Sequence, residues 1–98
     1  MAFGVCIVFE NVGEAQYWAV NSRLGVNKDG SGDWPAGMLR HTCGIIPNGL
    51  IVTEEWESKS AAEAFAQGRL AEALQAEAIP APIHMIPSDI INTFSSPT

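Results

Sequence analysis

The chain has 98 residues, of which 47% are hydrophobic and 16% are charged, and its formal net charge is −6 at pH 7. This length predicts a single domain over residues 1–98, and so much apolar surface in so small a core predicts self-association. The negative charge and the scatter of the five basic residues argue against nucleic acid or an anionic membrane as a partner, because both attract clustered Lys and Arg.

The N-terminal segment does not have the pattern of a targeting signal. It lacks a basic n-region and meets an acid at Glu10, and no apolar run reaches the length of a membrane span. Cys6 and Cys43 stand alone in apolar segments without a CxxC or histidine-rich context. That setting favours small reduced thiols over a disulfide or a metal site. We therefore expect a cytoplasmic protein.

The first two predicted elements are a buried strand and a helix. Phe3 to Phe9 is a short, nearly continuous apolar run with β-branched residues, which is typical of a central strand covered on both faces. From Val12 to Leu24 the apolar side chains recur at helical spacing. Gly25 stands where a C-terminal cap glycine belongs, and residues 25–36 form a loop rich in Gly, Asp and Pro.

The middle of the chain predicts a β-hairpin. Met38 to Ile46 is the second strand and Leu50 to Glu57 is the third, with Pro47-Asn48-Gly49 between them. If Asn48-Gly49 alone forms a two-residue loop, His41 lies opposite Trp56.

A three-residue loop shifts this pairing by one residue. If Pro47-Asn48-Gly49 forms the whole loop, His41 lies opposite Glu55, and we favour this register because it keeps proline, which has no amide hydrogen, out of the ladder. Both registers place Glu54 on the face that Val52 shares and that packs against the helices. Burial raises the pKa of a carboxyl group unless a cation is near, so Glu54 is either paired or poised for chemistry.

The remaining elements are a second helix and a last strand. Ser60-x-x-Glu63 is a predicted capping box at the helix start, and Gly68 is expected to kink or divide the Ala-rich helix. Pro80 and Pro82 are expected to end this helix. Ile83 to Phe94 predicts a last strand interrupted near Pro87, and residues 95–98 predict a frayed tail.

The element order β-α-β-β-α-β predicts an α+β, ferredoxin-like domain with an antiparallel sheet. Helices on one face leave the other face of the sheet open, although the first strand is apolar on both sides. A second copy of the sheet would cover that face, so we expect a homodimer.

Four segments in the middle of the chain resemble one protein family. They are AVNSRLG, WPAGMLRHTCG, TEEWESKSAAEAF and RLAEAL, between positions 19 and 74. They are similar to the antibiotic biosynthesis monooxygenase-like group of dimeric α+β barrel proteins, and the best-matching parts are Trp56-Glu57-Ser58 before Phe65 and Gly37-x-x-x-His41. The resemblance implies a ferredoxin-like domain that pairs into a dimeric α+β barrel.

Relatives implied by this resemblance include cofactor-free oxygenases of aromatic polyketides and haem-degrading monooxygenases. In the first group a strand tryptophan works near an asparagine four residues earlier. Trp56 matches that tryptophan, but Val52 occupies the asparagine position. In the second group a histidine on the second helix holds iron and an asparagine lies on the first strand. No histidine occurs between Ser60 and Ile79, and no asparagine occurs in the first strand.

No metal or cofactor is therefore expected. The run Asp29-x-Ser31-x-Asp33 also lacks the glycine and the glutamate that a calcium loop requires at its sixth and twelfth positions.

The hairpin and the first helix supply the candidate site. His41 and Glu54 are the predicted catalytic pair, with the histidine as general base and the carboxylate orienting it. The predicted substrate contacts are Trp56, Arg40, Trp18 and Tyr17. Each residue also has a structural explanation: a satisfied, half-buried histidine, aromatic rings packed in the core, and an Arg40 salt bridge to Glu54 or Glu55.

Three hypotheses follow from these residues. The first is a cofactor-independent monooxygenase, or a related cyclase or isomerase, acting on a small aromatic or polyketide-like molecule. The alternative is a dimeric module that binds a small apolar ligand without turnover. In the third, the apolar surface serves only dimerisation.

Overall fold

The computed structural model describes residues 2–97, so the last residue of the predicted tail, Thr98, lies outside the described residues. The elements are β1 (Phe3–Glu10), α1 (Glu14–Leu24), β2 (Met38–Ile46), β3 (Gly49–Trp56), α2 (Lys59–Gln67), α3 (Arg69–Ala76) and β4 (His84–Asp89). The strands form one antiparallel sheet in the order β2-β3-β1-β4. The predicted α+β, ferredoxin-like fold is confirmed.

The first helix begins two residues later than its periodicity predicts. Asn11 has a positive φ of 60°, and the Gly13 amide donates to the side chain of Gln16 at 2.8 Å. Val12 is nevertheless buried, which explains why the apolar pattern runs past the helix start. Gly25 ends the helix in the left-handed conformation, as predicted.

The capping box predicted at Ser60 and Glu63 is wrong. Ser58 is the N-cap instead, and its hydroxyl accepts from the Ala61 amide at 3.1 Å. Ser58 has extended backbone, as an N-cap requires, whereas Ser60 already lies within α2. Gly68 divides α2 from α3, as the sequence predicted.

Neither predicted hairpin register is correct. Ile46 pairs with Gly49, so the loop has only two residues, Pro47 and Asn48. Proline fixes φ at the first loop position, and Asn48 adopts the positive φ of 62° that the second position requires. Gly49 is needed in the strand because a side chain there would collide with the Phe9 carbonyl oxygen on β1.

This two-residue loop sets the pairing that matters for the site. His41 lies opposite Glu54, and Arg40 lies opposite Glu55. Because alternate residues of a strand point to opposite faces, His41 and Glu54 face the helices together. Arg40 and Glu55 face the other side of the sheet.

The core lies between the sheet and the helices in two clusters. The larger contains Phe3, Val20, Leu24, Met38, Trp56, Ala62, Phe65 and Ala73. The smaller contains Ile7, Phe9, Val12, Leu50 and Val52. Trp56 is the most buried large side chain, at 1% exposure. In residues 2–97, no helix is long and apolar enough to cross a membrane.

The last strand is shorter than predicted. Only His84–Asp89 pairs with β1, and the Ile90 amide then donates to the Ala2 carbonyl at 2.9 Å. The Thr93 hydroxyl donates to Glu55 at 3.0 Å, which brings this segment beside the open face of the sheet. Ile91 and Phe94 are about nine-tenths exposed, so the apolar pattern there does not mark a strand of this domain.

Replacing Gly49 with alanine should destabilise the fold, because the new methyl group meets the β1 backbone rather than a movable side chain. We expect Gly49→Ala to lower the free energy of unfolding in urea by about 2–3 kcal/mol. Gly44→Ala is the matched control, since its methyl group would make only an ordinary contact with Ile51 and should change stability by less than about 0.5 kcal/mol. Equal effects of the two substitutions would contradict this explanation of the register.

Candidate functional site

A cavity of about 360 Å³ opens between the sheet, α1 and the loop that follows α1. This volume is within the usual range for small-molecule sites, about 300–1,000 Å³. Its walls are mostly apolar, with Ile7 and Phe9 from β1 and Trp34 from the loop. His41 and Glu54 bring polar groups into the apolar lining.

Four side chains form a continuous hydrogen-bonded row at this cavity. The Tyr17 hydroxyl lies 2.7 Å from His41 Nε2, and His41 Nδ1 lies 3.1 Å from one oxygen of Glu54. The indole N–H of Trp56 donates to the other oxygen of Glu54 at 3.1 Å. The side chain of Glu54 is only 7% exposed and that of His41 is 22% exposed.

The partners of His41 determine where its proton lies. A carboxylate can only accept, so Glu54 accepts from His41 Nδ1–H and from Trp56 N–H, which can only donate. A neutral imidazole with its proton on Nδ1 carries a lone pair on Nε2. In that neutral tautomer Nε2 accepts from the Tyr17 hydroxyl, and every donor in the row points toward Glu54.

The environment of Tyr17 keeps its hydroxyl protonated. Burial has the largest effect and raises the pKa of Tyr17, a hydrogen bond from Asn21 lowers that pKa to a smaller extent, and the nearby Cys43 and Glu54 raise it by less still. Burial also raises the pKa of the Cys43 thiol, with Glu14 adding to the effect. At neutral pH both groups are uncharged, so Tyr17 can donate to His41.

Tyr17 and Trp18, two consecutive residues of α1, form the aromatic wall of the cavity. Tyr17 stacks on the His41 ring at 5.8 Å and meets Trp18 edge-on at 5.0 Å. The Trp18 indole donates to Glu14 at 3.0 Å, one helical turn earlier. The ammonium group of Lys28 lies 4.9 Å from the Trp18 ring centroid. These contacts connect the hydrogen-bonded row to the loop.

The structure brings four of the six predicted site residues to the cavity: Tyr17, Trp18, His41 and Glu54. It does not bring Arg40 there, because Arg40 faces the open side of the sheet and pairs with Glu55 at 3.4 Å. Trp56 lies behind Glu54 and packs on Phe65 at 5.4 Å. At 1% exposure it is a core residue that holds the carboxylate and not a wall of the cavity.

Sequence reasoning did not find the bond between Tyr17 and His41 or the places of Asn27 and Lys28 in the cavity wall. Asn27, Lys28 and Trp34 line the cavity, and the Trp34 indole donates to the Met38 carbonyl at 2.7 Å. Trp34 beside Pro35 was a signal for a residue at a pocket mouth. In the described part of the chain, no three His, Cys, Asp or Glu side chains are grouped to hold a metal ion.

Comparison with known proteins identifies solved structures with a similar fold. No family model matches the sequence, and no curated protein matches it. A solved structure from Chloroflexus aurantiacus J-10-fl, provisionally described as an antibiotic biosynthesis monooxygenase, is 14% identical with a TM-score of 0.67, covering 97% of this chain and 98% of its own. This chain has the fold of antibiotic biosynthesis monooxygenase-type proteins.

Two further solved structures share this antibiotic biosynthesis monooxygenase-type fold. SnoaB, a cofactor-independent oxygenase from Streptomyces nogalater solved as a mutant, is 17% identical with a TM-score of 0.65, and 97% of this chain matches 98% of SnoaB. A monooxygenase from the gene ActVA-Orf6 of Streptomyces coelicolor, solved with the ligand Nanaomycin D, is 20% identical with a TM-score of 0.62, and the match covers 97% and 92% of the two chains. The fold implied by the sequence resemblance is confirmed.

The pKa of Tyr17 can be measured directly, because Tyr17 is the only tyrosine in the chain. We expect tyrosinate absorbance of the folded protein to appear with a midpoint above the ordinary value of about 10, because burial disfavours the phenolate. In denaturant the midpoint should return to about 10. A folded-state midpoint at or below the unfolded one would contradict the buried environment described here.

The raised pKa of Tyr17 also makes the stability of the protein depend on pH. Below about pH 10 both states keep the Tyr17 proton, so Tyr17 adds no pH dependence. Between about pH 10 and the raised folded-state pKa, the unfolded chain holds fewer protons, and the free energy of unfolding falls as pH rises. The stability difference between wild type and Tyr17→Phe should therefore be flat below that pH and change only above it.

Proposed function

We propose that this protein is a cofactor-independent monooxygenase for a small, planar, apolar molecule of aromatic or polyketide-like character. One observation carries the proposal: His41 is held between a carboxylate and a hydroxyl group at the wall of an apolar cavity of about 360 Å³. A histidine in this position is suited to be the base that finally holds a proton taken from a ligand in the cavity.

The proposed chemistry begins with removal of a proton from the bound molecule. Glu54 accepts from His41 Nδ1–H, so it orients the imidazole and stabilises the imidazolium that forms. The ligand anion would then form a C–O bond with O2 to give a peroxide, and loss of the second oxygen atom as water would leave a quinone-type product, so that the substrate itself supplies the electrons. Because the cavity is largely apolar, its few aimed dipoles act on that anion more strongly than water would.

The structure changes two of the roles expected from the sequence. We assign Trp56 to positioning Glu54, since its indole donates to the carboxylate and its ring is buried. Arg40 receives no role at the cavity, because it lies on the other side of the sheet. Tyr17 and Trp18 supply the aromatic wall against which a planar ligand can stack.

Proteins with similar folds support this proposal. SnoaB is described as a cofactor-independent oxygenase, and the ActVA-Orf6 protein is described as a monooxygenase with a bound small molecule. Here the His41–Glu54 pair would supply the base. We also place the protein in the cytoplasm, where Cys6 and Cys43, which are free in the structure, would stay reduced.

Turnover should require His41. We expect His41→Gln to reduce oxygen uptake with a panel of planar phenols and naphthols by about 100-fold or more, the loss typical of a missing general base. Glu63→Gln, on the exposed side of α2, is the matched control and should keep full activity. Both variants should unfold in urea close to the wild-type midpoint, and a His41→Gln protein with wild-type oxygen uptake would overturn the catalytic assignment.

The alternative function, ligand binding without turnover, also has a specific observation in its favour. Both ring nitrogens of His41 already have partners, and within residues 2–97 no buried side-chain polar atom lacks a hydrogen bond. A cavity whose polar groups all have hydrogen-bond partners within the protein can bind an apolar ligand without catalysing a reaction. Phenols that bind with no oxygen uptake, in wild type and in His41→Gln alike, would establish this alternative.

We further propose that two copies associate through the open face of the sheet. Val8 on β1 and Ile51 on β3 lie on that face and are only half-buried, while Ile86 on β4 is 58% exposed. An antiparallel sheet with an apolar open face needs a cover, and a twofold pair of sheets supplies one.

A single charge on that face should separate the dimer. We expect native mass spectrometry to find a dimer for wild type and a monomer for Ile51→Lys, because the new ammonium would be desolvated between the sheets. Gln67→Lys adds the same charge at an exposed position of α2 and should leave the dimer intact. A monomeric wild type would remove the basis for this interface.

A further inference from the structure

Every polar group of the His41 ring has a partner, which leaves an unexplained step in the proposed chemistry. Nδ1 is bonded to Glu54 and Nε2 is bonded to the Tyr17 hydroxyl. A ligand in the cavity therefore has no free ring nitrogen to meet. The Tyr17 hydroxyl donates to Nε2 and its oxygen accepts from the Asn21 side chain, and the second lone pair of that oxygen can accept a further hydrogen bond from a ligand.

We propose that Tyr17 is the catalytic residue that touches the substrate, and that His41 receives the substrate proton through the Tyr17 hydroxyl. This inference rests on the proposed function and adds the route by which the base reaches the ligand. It changes the role of Tyr17 from a wall of the cavity to a proton-transfer group, and it makes His41 a residue that acts through Tyr17.

The proton transfer balances without any further reactant. The acidic O–H or C–H bond of the substrate breaks, and its proton forms a new O–H bond on Tyr17. At the same time the original Tyr17 proton passes to His41 Nε2. The products are a substrate anion, a neutral Tyr17, and an imidazolium whose Nδ1–H donates to Glu54.

The geometry fits each part of this transfer. The Tyr17–His41 distance of 2.7 Å is that of a strong O–H···N contact, and the two rings are nearly parallel, at 17°. Glu54 lies behind His41 with its second oxygen held by Trp56, so the new imidazolium gains a fixed and mostly buried counter-charge. After the transfer, the Tyr17 hydroxyl donates to the substrate anion.

The neighbours of Tyr17 keep the hydroxyl neutral at the start of the transfer. The ionisable groups that act on it are Cys43 on β2 and Glu54 on β3, and both oppose formation of a phenolate. Asn21, one turn later on α1, acts in the other direction. A tyrosine that stays protonated passes a proton along and does not compete with His41 as the final acceptor.

The probe for this inference is 4-nitrophenol, whose anion is yellow and whose neutral form is nearly colourless. Binding is followed by quenching of tryptophan fluorescence, and ionisation of the bound probe is followed by its absorbance, at a pH well below the pKa of the free phenol. We expect wild type to bind the probe as its yellow anion. His41→Gln should bind it in the neutral form.

Tyr17→Phe decides between transfer through Tyr17 and direct transfer to His41. We expect Tyr17→Phe to bind the probe but to form about tenfold less anion, which corresponds to one unit in the pKa of the bound probe. Undiminished anion in Tyr17→Phe would overturn the inference and leave His41 as a direct base. No anion in wild type would instead overturn the proposed function itself, so the two failures are distinct.

A second variant tests the same step without removing the hydroxyl. Because the chain has one tyrosine, growth with 3-fluorotyrosine labels Tyr17 alone and makes its hydroxyl a stronger donor. The bound probe should then ionise at a lower pH than in wild type, because the stronger donor stabilises the anion. An unchanged ionisation pH in the fluorinated protein would overturn the role of Tyr17 even if Tyr17→Phe failed to fold.

Discussion

The carboxylate of Glu54 is the constraint on which the rest of the site depends. It lies on the helix-facing side of the sheet at 7% exposure, between Val52 and Trp56, which are almost fully buried. A buried carboxylate without partners costs several kcal/mol. Two N–H groups, from His41 and Trp56, remove most of that cost. The position and tautomer of His41 follow from this requirement, and so does the direction of its bond to Tyr17.

The hairpin turn is the local feature that makes this pairing possible. With Pro47 and Asn48 as the loop, His41 and Glu54 are cross-strand neighbours on the same face. A register shift of one residue would send one of them to the opposite face and leave Glu54 buried without its histidine. The close approach of Gly49 to the Phe9 carbonyl oxygen on β1 excludes a side chain at position 49, so the contact between β1 and β3 explains the glycine that follows the turn.

Much of the fold could be predicted from the sequence, because it depends on local patterns. The order of strands and helices, the cap at Gly25 and the break at Gly68 all follow from periodicity and glycine. The register could not be predicted, because the reason for Gly49 lies on β1, distant in sequence. The choice of Ser58 over Ser60 as N-cap depends in the same way on where the chain leaves β3.

The positions of the candidate site residues could be predicted only in part. The alternation of residues along β3 correctly placed Glu54 on the inward face. Alternation alone does not distinguish a residue of the cavity wall from a residue of the core. Trp56 was therefore expected at the cavity wall, whereas it lies behind Glu54. The loop between α1 and β2 closes one end of the cavity, and its Gly-, Asp- and Pro-rich sequence carries no periodicity that would have placed Trp34. Tyr17 on α1 meets His41 on β2 across the interface between helix and sheet, a tertiary relation.

Glu54 selects the His41 tautomer whose proton lies on Nδ1 and whose Nε2 lone pair faces the Tyr17 hydroxyl. The most direct measurement is the nitrogen NMR spectrum of the two imidazole nitrogens in ¹⁵N-histidine-labelled protein at neutral pH, with His84→Gln used to assign the signals. We expect the Nδ1–H tautomer for His41, and loss of that preference in Glu54→Gln. An Nε2–H tautomer in wild type would mean that His41 donates to Tyr17, which would contradict the direction of proton transfer from Tyr17 to His41.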